Sequence, residues 1–131
     1  MIRIAVCDDE NVIVNQIEHI ISEVCKRESI PVNIDVFYSG RELKRQVTSG
    51  TKYDIIFLDI QMKGGDGIIA AENIRKVDDN VLLIYVSGYD KYMMELFRLD
   101  VFGFIKKPID EEILTCLLYT SPSPRDLSTS R

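Results

Sequence analysis

The sequence has too few cysteines, spaced too far apart, to organise a fold around them. Cys7, Cys25 and Cys116 are odd in number and distant from one another, which argues against a disulfide framework and against a zinc site. Long apolar runs are missing as well; none approaches the roughly 18–20 residues that span a bilayer. The opening stretch Ile2-Arg3-Ile4-Ala5-Val6 is too short and too early for a secretory signal, so a cytoplasmic location is expected. Positive charge is scarce: 16 Lys and Arg against 21 Asp and Glu give a formal charge of -5. That balance is poorly suited to gripping nucleic acid directly, although it leaves room for a DNA-binding domain elsewhere. What is present, 131 residues of which 46% are hydrophobic and 28% charged, suits one compact domain with its own core.

The character of the chain changes at Cys116. The eleven residues Cys116-Leu-Leu-Tyr-Thr-Ser-Pro-Ser-Pro-Arg-Asp126 match the in-frame translation of a transposase-type sequencing adapter. A natural Ser/Pro-rich linker would have a similar composition. Residues 116–131 are therefore expected to be a non-native tail, disordered or irregular, and residues 1–115 the domain itself. The last helix would then be cut short, and Cys116 would carry no meaning.

Strand and helix signals alternate up to that point. Ile2 to Cys7 reads as a strand buried on both faces. Ile13, Ile17, Ile20, Ile21 and Val24 form the apolar stripe of a helix, with His19 on the opposite, exposed side. Val32 to Tyr38 alternates like a strand. Ser39 with Glu42 three residues on is a capping box for a short helix through Leu43 and Val47, ending at Gly50. Tyr53 to Leu58 is the most apolar strand candidate and ends on Asp59. Gly64-Gly65-Asp66-Gly67 leads into a helix through Ile68, Ala71, Ile74 and Val77. Val81 to Val86 is a strand closing at Ser87-Gly88, and Tyr92, Met93, Leu96 and Phe97 mark a fourth helix. Val101 to Ile105 is a fifth strand, closing at Lys106-Lys107-Pro108, and a further helix begins at Ile109. Five βα units in a row imply an α/β fold: a doubly wound parallel sheet with helices on both faces.

Ligands in such folds bind at the carboxyl ends of the strands. There the first strand delivers Asp8 and Asp9, the third Asp59, the fourth Ser87 and the fifth Lys107. In a flavodoxin-like order, 2-1-3-4-5, the first and third strands are neighbours, and three carboxylates crowd one rim. Like charges that close repel unless a cation lies between them. A hard divalent ion such as Mg²⁺, with oxygen ligands and a substrate phosphate, answers that need.

Asp8-Asp9, then Asp59, Ser87 and Lys107-Pro108, in this order and on these strands, resembles the receiver domains of two-component response regulators. The run Asp59-Ile-Gln-Met-Lys-Gly-Gly-Asp-Gly67 is similar to the loop after the phosphoacceptor strand in that family, with Lys63 where Pro is usual. The resemblance covers residues 2 to about 115. It implies that Asp59 is the nucleophile that accepts a phosphoryl group from a sensor histidine kinase. It also implies Mg²⁺ held by Asp8, Asp9, Asp59 and the backbone carbonyl of Gln61. Ser87 and Lys107 would contact phosphoryl oxygens, Gly88 would leave the site open, and the Lys107–Pro108 peptide would be cis. Phe104 matches the switch aromatic, which would turn inward as Ser87 moves. The domain would be a signalling module, catalysing only its own phosphorylation and dephosphorylation. A homodimer through the fourth helix and fifth strand is a further implication.

Val36-Phe37-Tyr38-Ser39-Gly40, Tyr53 to Asp59 and Tyr85-Val86-Ser87-Gly88 resemble receivers joined to LytTR-type DNA-binding domains. That implies a transcriptional regulator reaching DNA through a separate output domain; a free-standing receiver is the alternative.

Each residue has an ordinary reading by itself. Asp8 and Asp9 could begin a helix, Ser87 could be a turn residue, Lys107 a solvated lysine and Phe104 core. Their convergence on one rim favours function. Two rival classes fit less well. An aspartate-nucleophile phosphatase wants a second aspartate two residues after the nucleophile, where this chain has Gln61. A flavin-binding protein wants a phosphate-binding loop after the first strand, where Asp8-Asp9-Glu10 repels phosphate.

Overall fold

A computed structural model describes residues 1–60, 66–88 and 101–120, with Asp66 described in its backbone only. The elements run β1 (Ile2–Cys7), α1 (Asn11–Arg27), β2 (Val32–Phe37), α2 (Gly40–Thr48), β3 (Ile55–Asp59), α3 (Asp66–Val77), β4 (Leu82–Ser87), β5 (Gly103–Lys106) and α4 (Glu111–Thr120). The helix expected over Tyr92 to Phe97 lies outside the described residues, and so does the dimer surface assigned to it.

All five strands are parallel, in the order β2-β1-β3-β4-β5. The period-2 alternation of strand side chains divides the core in two. Ala5, Cys7, Ile56, Leu58, Leu83 and Tyr85 face α2 and α3, whose Leu43, Val47, Ala70, Ala71 and Ile74 cover them. Ile4, Val6, Ile55, Phe57, Ile84 and Val86 face the other way and meet α1 and α4. The buried face of α1 is Val14, Ile17, Ile20, Ile21, Val24 and Cys25, with Ile13 at its margin. Ser39 opens α2 as expected, its Oγ accepting the Glu42 backbone N–H at 3.2 Å. β2 lies at the edge and is only half-buried, which explains why its polar Asn33 and Asp35 are tolerated there.

Residues 116–120, expected to be irregular, are helical: α4 continues through them to Thr120; the rest of the expected tail, residues 121–131, lies outside the described residues. Leu117 and Leu118 pack against the α1-side cluster. A Cβ on Gly103 would fall 2.9 Å from a methyl of Leu117, so the glycine admits that leucine. Tyr119 donates its hydroxyl proton to Glu28 at 3.0 Å, across to the end of α1. Apolar side chains at helical spacing found a groove to fill, whatever their origin. At ten residues α4 is still shorter than the seventeen of α1.

Candidate functional site

The sheet assembles the site from strand ends. Asp8 follows β1 directly, and its backbone N–H donates to the Phe37 carbonyl at 3.1 Å, extending the ladder one residue beyond the strand. Asp59 is the last residue of β3, in register with Val86, one residue before Ser87. The Lys107 backbone N–H donates to the Ser87 carbonyl at 2.8 Å, which ties β5 to β4 at the same level. The Lys107–Pro108 peptide is cis, as the sequence led us to expect.

Oxygens of Asp8, Asp9 and Asp59 all lie within 4.8 Å of one another. Asp8 and Asp59 are buried, at 1% and 2% exposure, and Ser87 is fully buried; Asp9 is exposed. Lys107 Nζ reaches into the group, 3.0 Å from Asp8 Oδ2, 3.5 Å from Asp59 Oδ2 and 3.8 Å from Glu10 Oε2. Asp8 Oδ1 accepts the Glu10 backbone N–H at 2.9 Å. Its buried Oδ2 has no hydrogen bond among the described residues; Lys107 meets it as an ion-pair partner at 3.0 Å.

These contacts set the protonation tendencies. Burial pushes the Asp8 carboxyl up from the ordinary range, and the Glu10 N–H and the Lys107 ammonium offset that only in part. Burial pulls Lys107 down, but Asp8, Asp59 and Glu10 together outweigh it and hold the ammonium above its usual value. Cys7, packed beneath, is pushed far up by burial and then by Asp8 and Asp59, so it stays a neutral thiol. The Asp8, Asp9, Asp59 and Glu10 carboxylates outnumber the Lys107 ammonium that reaches among them. The donor set is hard oxygen throughout, and the buried Asp8 Oδ2 has an ion pair but no hydrogen bond among the described residues. Such a group fits a small divalent cation.

Asp8, Asp9, Asp59, Ser87 and Lys107 thus come to one rim. Gln61 lies outside the described residues. Phe104 is half-buried against the α2/α3 cluster, in register with Tyr85. Among the described residues, a Cβ on Gly88 would meet nothing within 4 Å. His19 is exposed.

Two participants were not singled out from the sequence. Glu10 joins the Lys107 cluster; the continuous acidic run Asp8-Asp9-Glu10 was the signal that could have shown it. Gly67 was read only as part of a glycine-rich stretch. A Cβ there would fall 2.6 Å from Ile60 Cα and closer still to the Asp59 and Ile60 carbonyl oxygens. The first turn of α3 therefore lies directly on the backbone that carries Asp59.

A family profile described as the response regulator receiver domain matches residues 4–118. The chain belongs to that family. Among curated proteins this receiver is 29% identical over 112 residues to the sensory transduction protein LytT of Bacillus anthracis, covering 86% of this chain and 44% of that one. It is 24% identical over 116 residues to the transcriptional regulatory protein YpdB of Escherichia coli K12, covering 88% and 46%. The receiver thus spans under half the length of these relatives. Among solved structures it is similar to the response regulatory domain of protein mrkE from Klebsiella pneumoniae, with TM-score 0.80 at 22% identity over 92% of this chain and 94% of that one. The chemotaxis protein CheY4 of Vibrio cholerae gives TM-score 0.78 at 17% identity, over 93% and 99%. Both structural likenesses concern the fold. As a receiver domain of the two-component type, the chain is a signalling module. Among the described residues no helix is long and apolar enough to cross a membrane.

Proposed function

We propose that this receiver accepts a phosphoryl group on Asp59 from the phosphohistidine of a sensor histidine kinase. The observation that carries the reading is the meeting of Asp8, Asp9 and Asp59 with Lys107 on one strand-end rim. Asp59 Oδ would attack phosphorus, the P–N bond to histidine would break, and the electron pair would leave with the imidazole. Lys107, which now pairs with Asp8 and Asp59, would swing onto a phosphoryl oxygen as Asp59 is phosphorylated. Ser87 would donate its hydroxyl proton to another. Mg²⁺ would be held by Asp8, Asp9 and Asp59, with the carbonyl of Gln61, and would supply charge neutralisation for the phosphoryl oxygens. Phe104, on the strand bonded to β4, would follow the movement of Ser87 and alter the β5 surface.

The likeness to LytT and YpdB supports placing the receiver in a cytoplasmic regulator of transcription. DNA would be contacted by a separate, LytTR-type output domain, since the receiver itself is acidic. Incubation with a small phosphodonor and Mg²⁺, followed by intact mass measurement, tests the reading. One phosphoryl group should be gained, and both EDTA and Asp59→Asn should abolish the gain. Labelling that survives in Asp59→Asn would reject the site.

A further inference from the structure

Glu10 occupies the N-cap position of α1 with an extended backbone, and its side chain makes no capping hydrogen bond. Serine, threonine, asparagine and aspartate are the preferred caps at such a position, and the longer glutamate is not among them. The position forgoes a cap, and the carboxylate lies instead near Lys107, with Oε2 3.8 Å from Nζ. The backbone of the same residue is held at both ends. Its N–H donates to Asp8 Oδ1 at 2.9 Å, and its carbonyl accepts the Val14 N–H at 3.1 Å. Glu10 thus fixes Asp8 with its main chain and meets Lys107 with its side chain.

The three acids around Lys107 are not equivalent. Asp8 and Asp59, 3.0 and 3.5 Å from Nζ, are buried and belong to the group suited to a cation. Glu10 is not one of that group, and its side chain is 62% exposed. A cation entering among the aspartates meets an ammonium already paired with two of them, and like charges in a buried site repel. Lys107 must then loosen its hold on Asp8 and Asp59. An exposed carboxylate within reach lowers the cost of that move, because it can pair without being stripped of water.

We infer that Glu10 is a positioning residue that takes over the Lys107 ammonium when a divalent cation occupies the aspartates, keeping the lysine at the rim for the phosphoryl oxygen. The inference rests on the Mg²⁺ site of the proposed function and not on the transfer step. The pair is loose at rest, at 3.8 Å, and tightens as Asp8 and Asp59 turn to the metal. A partner that holds the displaced ammonium better than the resident one favours metal binding. Glu10 acts through Lys107 and touches neither metal nor phosphoryl group.

Mg²⁺ affinity tests the role, measured by calorimetric titration and by the rise in melting temperature, in wild type, Glu10→Gln, Lys107→Met and the double variant. Glu10→Gln should bind Mg²⁺ about threefold more weakly than wild type, the scale of one exposed pair. In the Lys107→Met background the same change should have no effect. An equal loss in both backgrounds would mean that the carboxylate merely attracts the metal, and it overturns the inference; so does the absence of any loss. Glu10→Asp keeps the charge but shortens the reach, and aspartate at this position caps α1 instead. It should bind Mg²⁺ as weakly as Glu10→Gln, and wild-type affinity in it overturns the inference whether or not Lys107→Met folds. These results leave the assignment of Asp59 intact. Failure of wild type to bind Mg²⁺ at all overturns the proposed metal site and the role of Glu10 together.

Discussion

Lys107 Nζ stands 3.5 Å from Asp59 Oδ2, so the side chain expected to receive the phosphoryl group is guarded by the cation expected to greet it. The same ammonium is 3.0 Å from buried Asp8. Removing it takes the ammonium away from two buried acids, which is costlier than the net worth of the pairs. Lys107→Ala should lower the stability of the metal-free chain by about 2–3 kcal/mol, measured by urea unfolding, with Mg²⁺ restoring part of the loss. Unchanged stability would show that another cation holds the cluster together.

Asp8 responds in the opposite sense. Its charged form is disfavoured by burial, and in Asp8→Asn the ammonium still has Asp59 and Glu10. The variant should therefore gain of order 1 kcal/mol without metal, and lose most of the stabilisation that Mg²⁺ gives wild type. Melting curves with and without Mg²⁺ check both halves. A variant less stable than wild type without metal, or one still stabilised as strongly by it, contradicts the assigned role.

Gly67 makes a steric prediction. Because α3 begins against the Asp59–Ile60 backbone, Gly67→Ala must push the helix or the strand end aside. We expect a loss of about 1–3 kcal/mol together with slower phosphoryl uptake, whereas alanine elsewhere in a helix normally helps. Uptake at the wild-type rate would mean that the displacement spares Asp59.

The reach of α4 is testable through Leu117, which fills the space left by Gly103. Leu117→Ala should cost about 1–2 kcal/mol, below the full core value because the side chain is only partly buried. A chain ending at Thr115 should lose more. If either melts like the full chain, the helix beyond Thr115 contributes nothing to the fold.

Much of this was legible in the residues themselves. The apolar runs ending in Asp59 and Ser87 fixed strand positions because a strand buried on both faces admits few polar residues. The acids and the lysine could be placed on one rim because parallel topology sends every carboxyl end the same way. Contacts set by three-dimensional packing were not legible. Gly67 opposes a backbone seven residues earlier, and nothing in local spacing announces that. The helix through Cys116 to Thr120 is legible only in the apolar spacing of Leu114, Leu117 and Leu118, a pattern that the likeness of this stretch to an adapter translation hides.

The central claim concerns one carboxylate among three that touch. An acyl phosphate is reduced by borohydride to an alcohol, converting the phosphorylated aspartate to homoserine. The chain should be phosphorylated with a small donor and Mg²⁺, reduced, digested and sequenced by mass spectrometry. Homoserine at position 59 alone is the predicted result. Homoserine at Asp8 or Asp9, or none at position 59 in protein that has taken up phosphate, would contradict it.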